Sequence, residues 1–172
     1  MRIILVLVLC CWSVTAHAQE PQAVPDWEGT WEGTLVNLPL RPNAPPVDVK
    51  MELGAFPVAD DTCSVWRTTY SEKGEVRQVK DYQLCRGTGP DDLFVDEGDG
   101  IILKARLLGD VLVSPFKYND ILLVTTTRLR GDVLEEEIIT AGDEPAIEGV
   151  QTMVPRGIQR LTLRRADTSS NQ

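Results

Sequence analysis

Val47-Asp48-Val49-Lys50-Met51-Glu52-Leu53 alternates apolar and polar residues without a fault. Successive side chains of an extended chain point to opposite faces, so this period of two puts Val47, Val49, Met51 and Leu53 on a buried face and the charges in water. A strand of this kind needs neighbours, and the same texture continues in both directions. Runs rich in Val, Ile, Leu, Thr and aromatic residues, punctuated by Gly, Pro, Asn and Asp, predict strands at 29–37, 46–55, 63–71, 76–86, 92–97, 101–108, 111–117, 120–130, 133–141 and 157–165. No window sustains the 3.6-residue period of a helix. The stretch 142–156, which holds Pro145 and Pro155, reads as a long loop or a short turn.

Three hairpins are legible. Gly109-Asp110 and Gly131-Asp132 each stand between strand-like arms, with the first-position glycine that a type II′ turn takes. Pairing across the second turn sets Arg128 opposite Glu135. In the third, Cys63 and Cys85 lie equidistant from Gly74, so folding about that glycine brings the cysteines face to face, with Trp66 opposite Tyr82, Ser64 opposite Leu84 and Tyr70 on the Trp66 side of the pleat. A disulfide stapling this hairpin is expected. Many antiparallel strands in chain order, with hairpin links and no helical layer, predict an all-β fold: an antiparallel up-and-down barrel of eight to ten strands, since closure leaves no exposed edge. A flattened two-sheet sandwich is the alternative.

The chain opens with Met1-Arg2, an apolar run from Ile3, and the small-x-small pattern Ala16-His17-Ala18. Residues 1–18 thus read as a signal peptide cleaved after Ala18, with an apolar core too short to span a membrane. Residues 19–26 read as a flexible leader, 27–166 as a single barrel domain and 167–172 as a disordered tail. Secretion or a periplasmic address is expected, and either supplies the oxidant for Cys63 and Cys85. Lys and Arg number 17 against 26 acidic residues, a net charge of −9, and loss of Arg2 makes it more negative. That balance disfavours nucleic acid and anionic membranes as partners. His17, the single histidine, leaves with the signal peptide, and the mature chain keeps no free cysteine. Histidine-based nucleophile pairs and histidine metal or haem ligands go with them. No catalytic residue, metal or cofactor is therefore assigned, and a non-enzyme is expected.

Trp27-Glu28-Gly29-Thr30-Trp31-Glu32-Gly33 contains Gly-x-Trp-x-Gly. It resembles the opening of calycin-like barrels, the lipocalins and nitrobindin-type barrels, of an uncharacterised secreted bacterial kind. The resemblance implies that Trp31 plugs one end of the barrel and that an arginine of the last strand, Arg160 or Arg164, lies across it. The nitrobindins' haem-binding histidine has no counterpart in the mature chain.

Trp66, Tyr70 and Tyr82 are the candidate ligand-contacting aromatics, although such residues also serve as plain core. In Glu135-Glu136-Glu137, strand alternation points Glu136 inward if its neighbours face solvent, making it a polar anchor for a ligand, unless a bulge turns it outward. Asp96, Glu97 and Asp99 gather carboxylates on a glycine turn, which suits either calcium or a solvated hairpin. Arg130-Gly131-Asp132 spells an adhesion tripeptide, but its Gly-Asp is explained by the turn. Two functions compete: a non-catalytic binding barrel for a small apolar or amphipathic ligand, and a protease-inhibitor-type barrel that inserts Gln19–Ala23 into an exported enzyme. Oligomeric state is left open.

Overall fold

The computed structural model describes residues 24–166; the expected signal peptide, residues 19–23 of the leader and the tail from residue 167 lie outside them. Among the described residues ten strands follow one another without a helix: β1 Gly29–Leu38, β2 Val47–Leu53, β3 Thr62–Glu72, β4 Glu75–Arg86, β5 Leu93–Gly98, β6 Ile101–Leu108, β7 Val111–Tyr118, β8 Ile121–Arg130, β9 Val133–Asp143 and β10 Met153–Arg165. Each pairs antiparallel with its chain neighbour, and β1 pairs with β10, closing an up-and-down barrel. This architecture is consistent with the calycin-like expectation, and the sandwich alternative does not apply.

The turn chemistry matches the residues. Gly109 and Gly131 have φ of +64° and +60°, their turns join Leu108 to Val111 and Arg130 to Val133, and Arg128 Nε donates to Glu135 Oε2 at 2.9 Å. Cys63 pairs with Cys85, Ser64 with Leu84 and Trp66 with Tyr82, until a bulge at Tyr70/Ser71 shifts the register near the turn. The disulfide joins Cα atoms 4.0 Å apart on neighbouring strands.

One expectation is corrected. The stretch 142–156 is a loop only over 144–152, where Ile147 is bridged to Val150 across a turn; β9 continues to Asp143 and β10 begins at Met153, so its two edges are strand. Pro155 is accommodated because a bulge between Pro155 and Gly157 falls there, where a missing ladder donor costs least.

The two ends of the barrel differ. At the end where β1 begins and β10 finishes, Trp27, Trp31, Met51, Leu84, Leu134, Leu161 and Leu163 are all but fully buried, and the interior is packed. Trp27 meets Phe56 and Trp66 edge-on, with ring centroids 5.6 and 5.5 Å away. Arg86 closes the same end, donating to the carbonyls of Pro57, Gly89 and Pro90. At the opposite end the wall is looser. The β6–β7 ladder runs only from Leu108/Val111 to Arg106/Val113; beyond it Ser114 Oγ donates to Lys104 O at 2.9 Å, and Pro115 brings no N–H.

Candidate functional site

The Gly-x-Trp-x-Gly motif builds the packed end. Trp31 is 1% exposed and donates its Nε1 hydrogen to Trp27 O at 2.8 Å. Both glycines make room: a Cβ on Gly29 would meet the Arg165 guanidinium, and one on Gly33 would strike the Thr162 carbonyl and Leu163 of β10. The arginine across Trp31 is Arg165, with Cζ 4.5 Å from the indole centroid, and it also donates to the carbonyls of Asp26 and Glu28. Neither expected arginine takes this place. Leu161 and Leu163 point inward, so the pleat carries Arg165 to the inner side and Arg160 and Arg164 outward, where they pair with Glu137 and Asp132.

Above this floor the barrel is hollow. A cavity of about 660 Å³ occupies the other half, inside the range of small-molecule pockets. All four expected ligand-contacting residues line it: Trp66 and Tyr70 from β3, Tyr82 from β4 and Glu136 from β9. Leu103, Phe116, Leu123 and Ile138 supply apolar wall, and Thr68, Ser114 and Thr125 add hydroxyls.

Glu136 does point inward. It is 6% exposed and accepts a hydrogen bond from Thr127 Oγ1 at 3.1 Å. Burial pushes its carboxyl above the ordinary carboxylate value, opposed by the Thr127 bond and the Lys80 charge. Tyr70 is raised far above a normal phenol, first by burial and then by Glu136; burial and the Glu97 carboxylate raise Tyr82. Lys80 Nζ stands 5.6 Å from the centroid of the Tyr70 ring. The cavity wall is thus largely apolar, with two acids in its lining, Glu136 near the packed end and Glu97 beside Tyr82.

A group whose folded pKa is raised contributes stability at pH below its unfolded value and loses it as pH rises through the folded value. Glu136→Gln, which keeps an acceptor for Thr127, is therefore expected to gain on the wild type from about pH 4 upward, by about 1.4 kcal/mol for each pH unit between the ordinary and raised values, and then level off. Urea denaturation of both proteins across that range measures the gap. A gap independent of pH would mean that Glu136 is not held from ionising.

Of the remaining sequence candidates, Glu97 lines the cavity beside Tyr82, and the others lie on turns. Asp96 Oδ1 accepts from Gly98 N at 2.9 Å, forming the turn, and no group of metal-ligating side chains occurs among the described residues. Arg130 and Asp132 sit at their hairpin tip and are drawn to Glu135 and Arg164. Three basic cavity residues escaped the sequence reading: Arg41, Lys80 and Arg156. Lys80 was legible, since it shares its strand parity with Tyr82; Arg41 lies in a loop and Arg156 beside a bulge, where no alternation applies. No protein-family model, curated protein or solved structure matches the chain.

Proposed function

We propose that this chain is an exported, non-catalytic binding barrel of calycin-like type that holds one small apolar or amphipathic ligand. The observation that carries the reading is the uneven filling of the barrel. A protein selected only for stability gains from packing its interior, yet here a dense floor is followed by a cavity of about 660 Å³ lined by aromatic and aliphatic side chains with a few convergent polar groups. That is the composition of a ligand pocket. The N-terminal sequence and the Cys63–Cys85 disulfide support a secreted or periplasmic location.

The test is uptake of N-phenyl-1-naphthylamine, an uncharged fluorescent probe, with native mass spectrometry reporting any co-purifying ligand. One-to-one uptake is expected. Leu123→Trp, which adds bulk to the cavity wall and leaves the packed end alone, is expected to weaken uptake about tenfold or more while the melting temperature is retained. Absence of both probe uptake and a co-purifying mass would sink the proposal.

A further inference from the structure

Resting on that reading of the cavity, we propose that its ligand is an amphipathic anion: an apolar body carrying one carboxylate or phosphate-monoester head, held head-outward by Arg41 and Arg156 at the mouth, with Lys80 contributing from the β4 wall.

The first support is the distribution of ion pairs. Among the described residues, eleven lysines and arginines lie within reach of a carboxylate. Arg86 is spent on buried carbonyls, and Lys73 stands at the tip of the β3–β4 turn. The remaining three, Arg41, Lys80 and Arg156, form no salt bridge among the described residues and all line the cavity, with Lys80 close enough to Glu136 for its charge to act on that carboxyl. The chain has 26 acidic residues for 17 basic ones, and the two carboxylates that line the cavity, Glu97 and Glu136, are engaged by Tyr82 and Thr127. Cations left unpaired around one opening leave room for an anion from outside.

The second support is that Arg156 has a seat. A Cβ on Gly142 would collide with its guanidinium, and a Cβ on Gly157 would strike Leu38 O. The first absence lets the guanidinium lie flat on β9. The second brings the start of β10 against the end of β1, so Arg156 stands beside the loop that carries Arg41. Two guanidinium forks lining one cavity suit a carboxylate or phosphate.

The orientation follows from the floor. The floor is built from Trp27, Trp31, Met51, Leu134 and Leu161, against which an anionic head would lose its hydration without gaining a partner, whereas Trp66, Leu103, Phe116, Leu123 and Ile138 between floor and mouth accept an apolar chain. The net charge of −9 repels anions at a distance, so any preference for them has to come from these local groups, within about a Debye length.

Calorimetric titration of the intact protein, below micellar concentrations, with dodecanoate, dodecyl phosphate, dodecan-1-ol and dodecylammonium decides the matter. At least one of the two anions is expected to bind about tenfold tighter than the alcohol. The double variant Arg41→Gln/Arg156→Gln is expected to erase that advantage with alcohol affinity unchanged; both side chains are exposed, and an unaltered circular dichroism melt verifies the fold. Tighter binding of the alcohol or the ammonium than of both anions would overturn the proposal, as would a double variant that keeps the anion advantage; in either case the cavity reading still stands. Failure of all four to bind would remove the cavity reading itself.

Discussion

Trp31→Ala is expected to cost about 3–5 kcal/mol of folding stability, the range for truncating a fully buried tryptophan. The side chain is 1% exposed, its indole N–H is bonded to Trp27 O, and its outer face carries Arg165. Removing it leaves a void between β1, β2 and β10, which meet at Trp31, Met51 and Arg165 and cannot collapse without opening the barrel's closure. Arg165→Ala provides the contrast: it removes a partly exposed cation from an indole face and is expected to cost only about 0.5–2 kcal/mol. Urea denaturation with unchanged slope would assign both losses to the native state. Equal costs for the two variants would show that the tryptophan serves only as a platform for the arginine.

The double variant Cys63→Ala/Cys85→Ala is expected to lose about 3 kcal/mol on the chain-entropy account of a loop of this size, equivalent to a fall in melting temperature of roughly 6–12 °C for a chain of this length. The loop spans 22 residues, and its strands are already held by the β3–β4 ladder. The disulfide therefore acts mainly on the unfolded chain, and the denaturation slope is expected to rise when it is removed, because the unfolded ensemble expands. Alkylation of both thiols in the unreduced native protein, or a variant as stable as the wild type, would refute this.

Strand parity explains both what was legible in the sequence and what was not. Where alternation is clean, as from Val47 to Leu53, it identifies the buried face, and where a turn is marked by Gly74, Gly109 or Gly131 it fixes the register. Tyr70, Tyr82, Trp66 and Glu136 could thus be placed on the inner wall from the sequence. The same rule applied through Leu161 and Leu163 selects Arg165, and following it to the strand's end would have avoided Arg160 and Arg164. Other features have no periodic signature. The bulge at Pro155 masks the start of β10, because a proline and a broken alternation look like a loop. Whether the inner face encloses space or packs solid depends on side-chain volumes summed around ten strands, which no single segment records. The contribution of Arg41 and Arg156 depends on Gly142 and Gly157 lying opposite particular atoms, a three-dimensional coincidence.

The short β6–β7 ladder gives the cylinder a seam. Cooperative opening of a β-protein starts where few backbone bonds must break at once, and past Arg106 and Val113 the wall is joined by the Ser114 hydroxyl. Leu103 and Phe116 on either side of that seam also line the hollow. Amide hydrogens of the β5–β6 hairpin would then exchange with solvent through local breathing, while those around Trp31 and Leu161 exchange only on global unfolding. A guest could pass the parted strands without disturbing the floor, which makes the wall, as well as the mouth, a route between the interior and water.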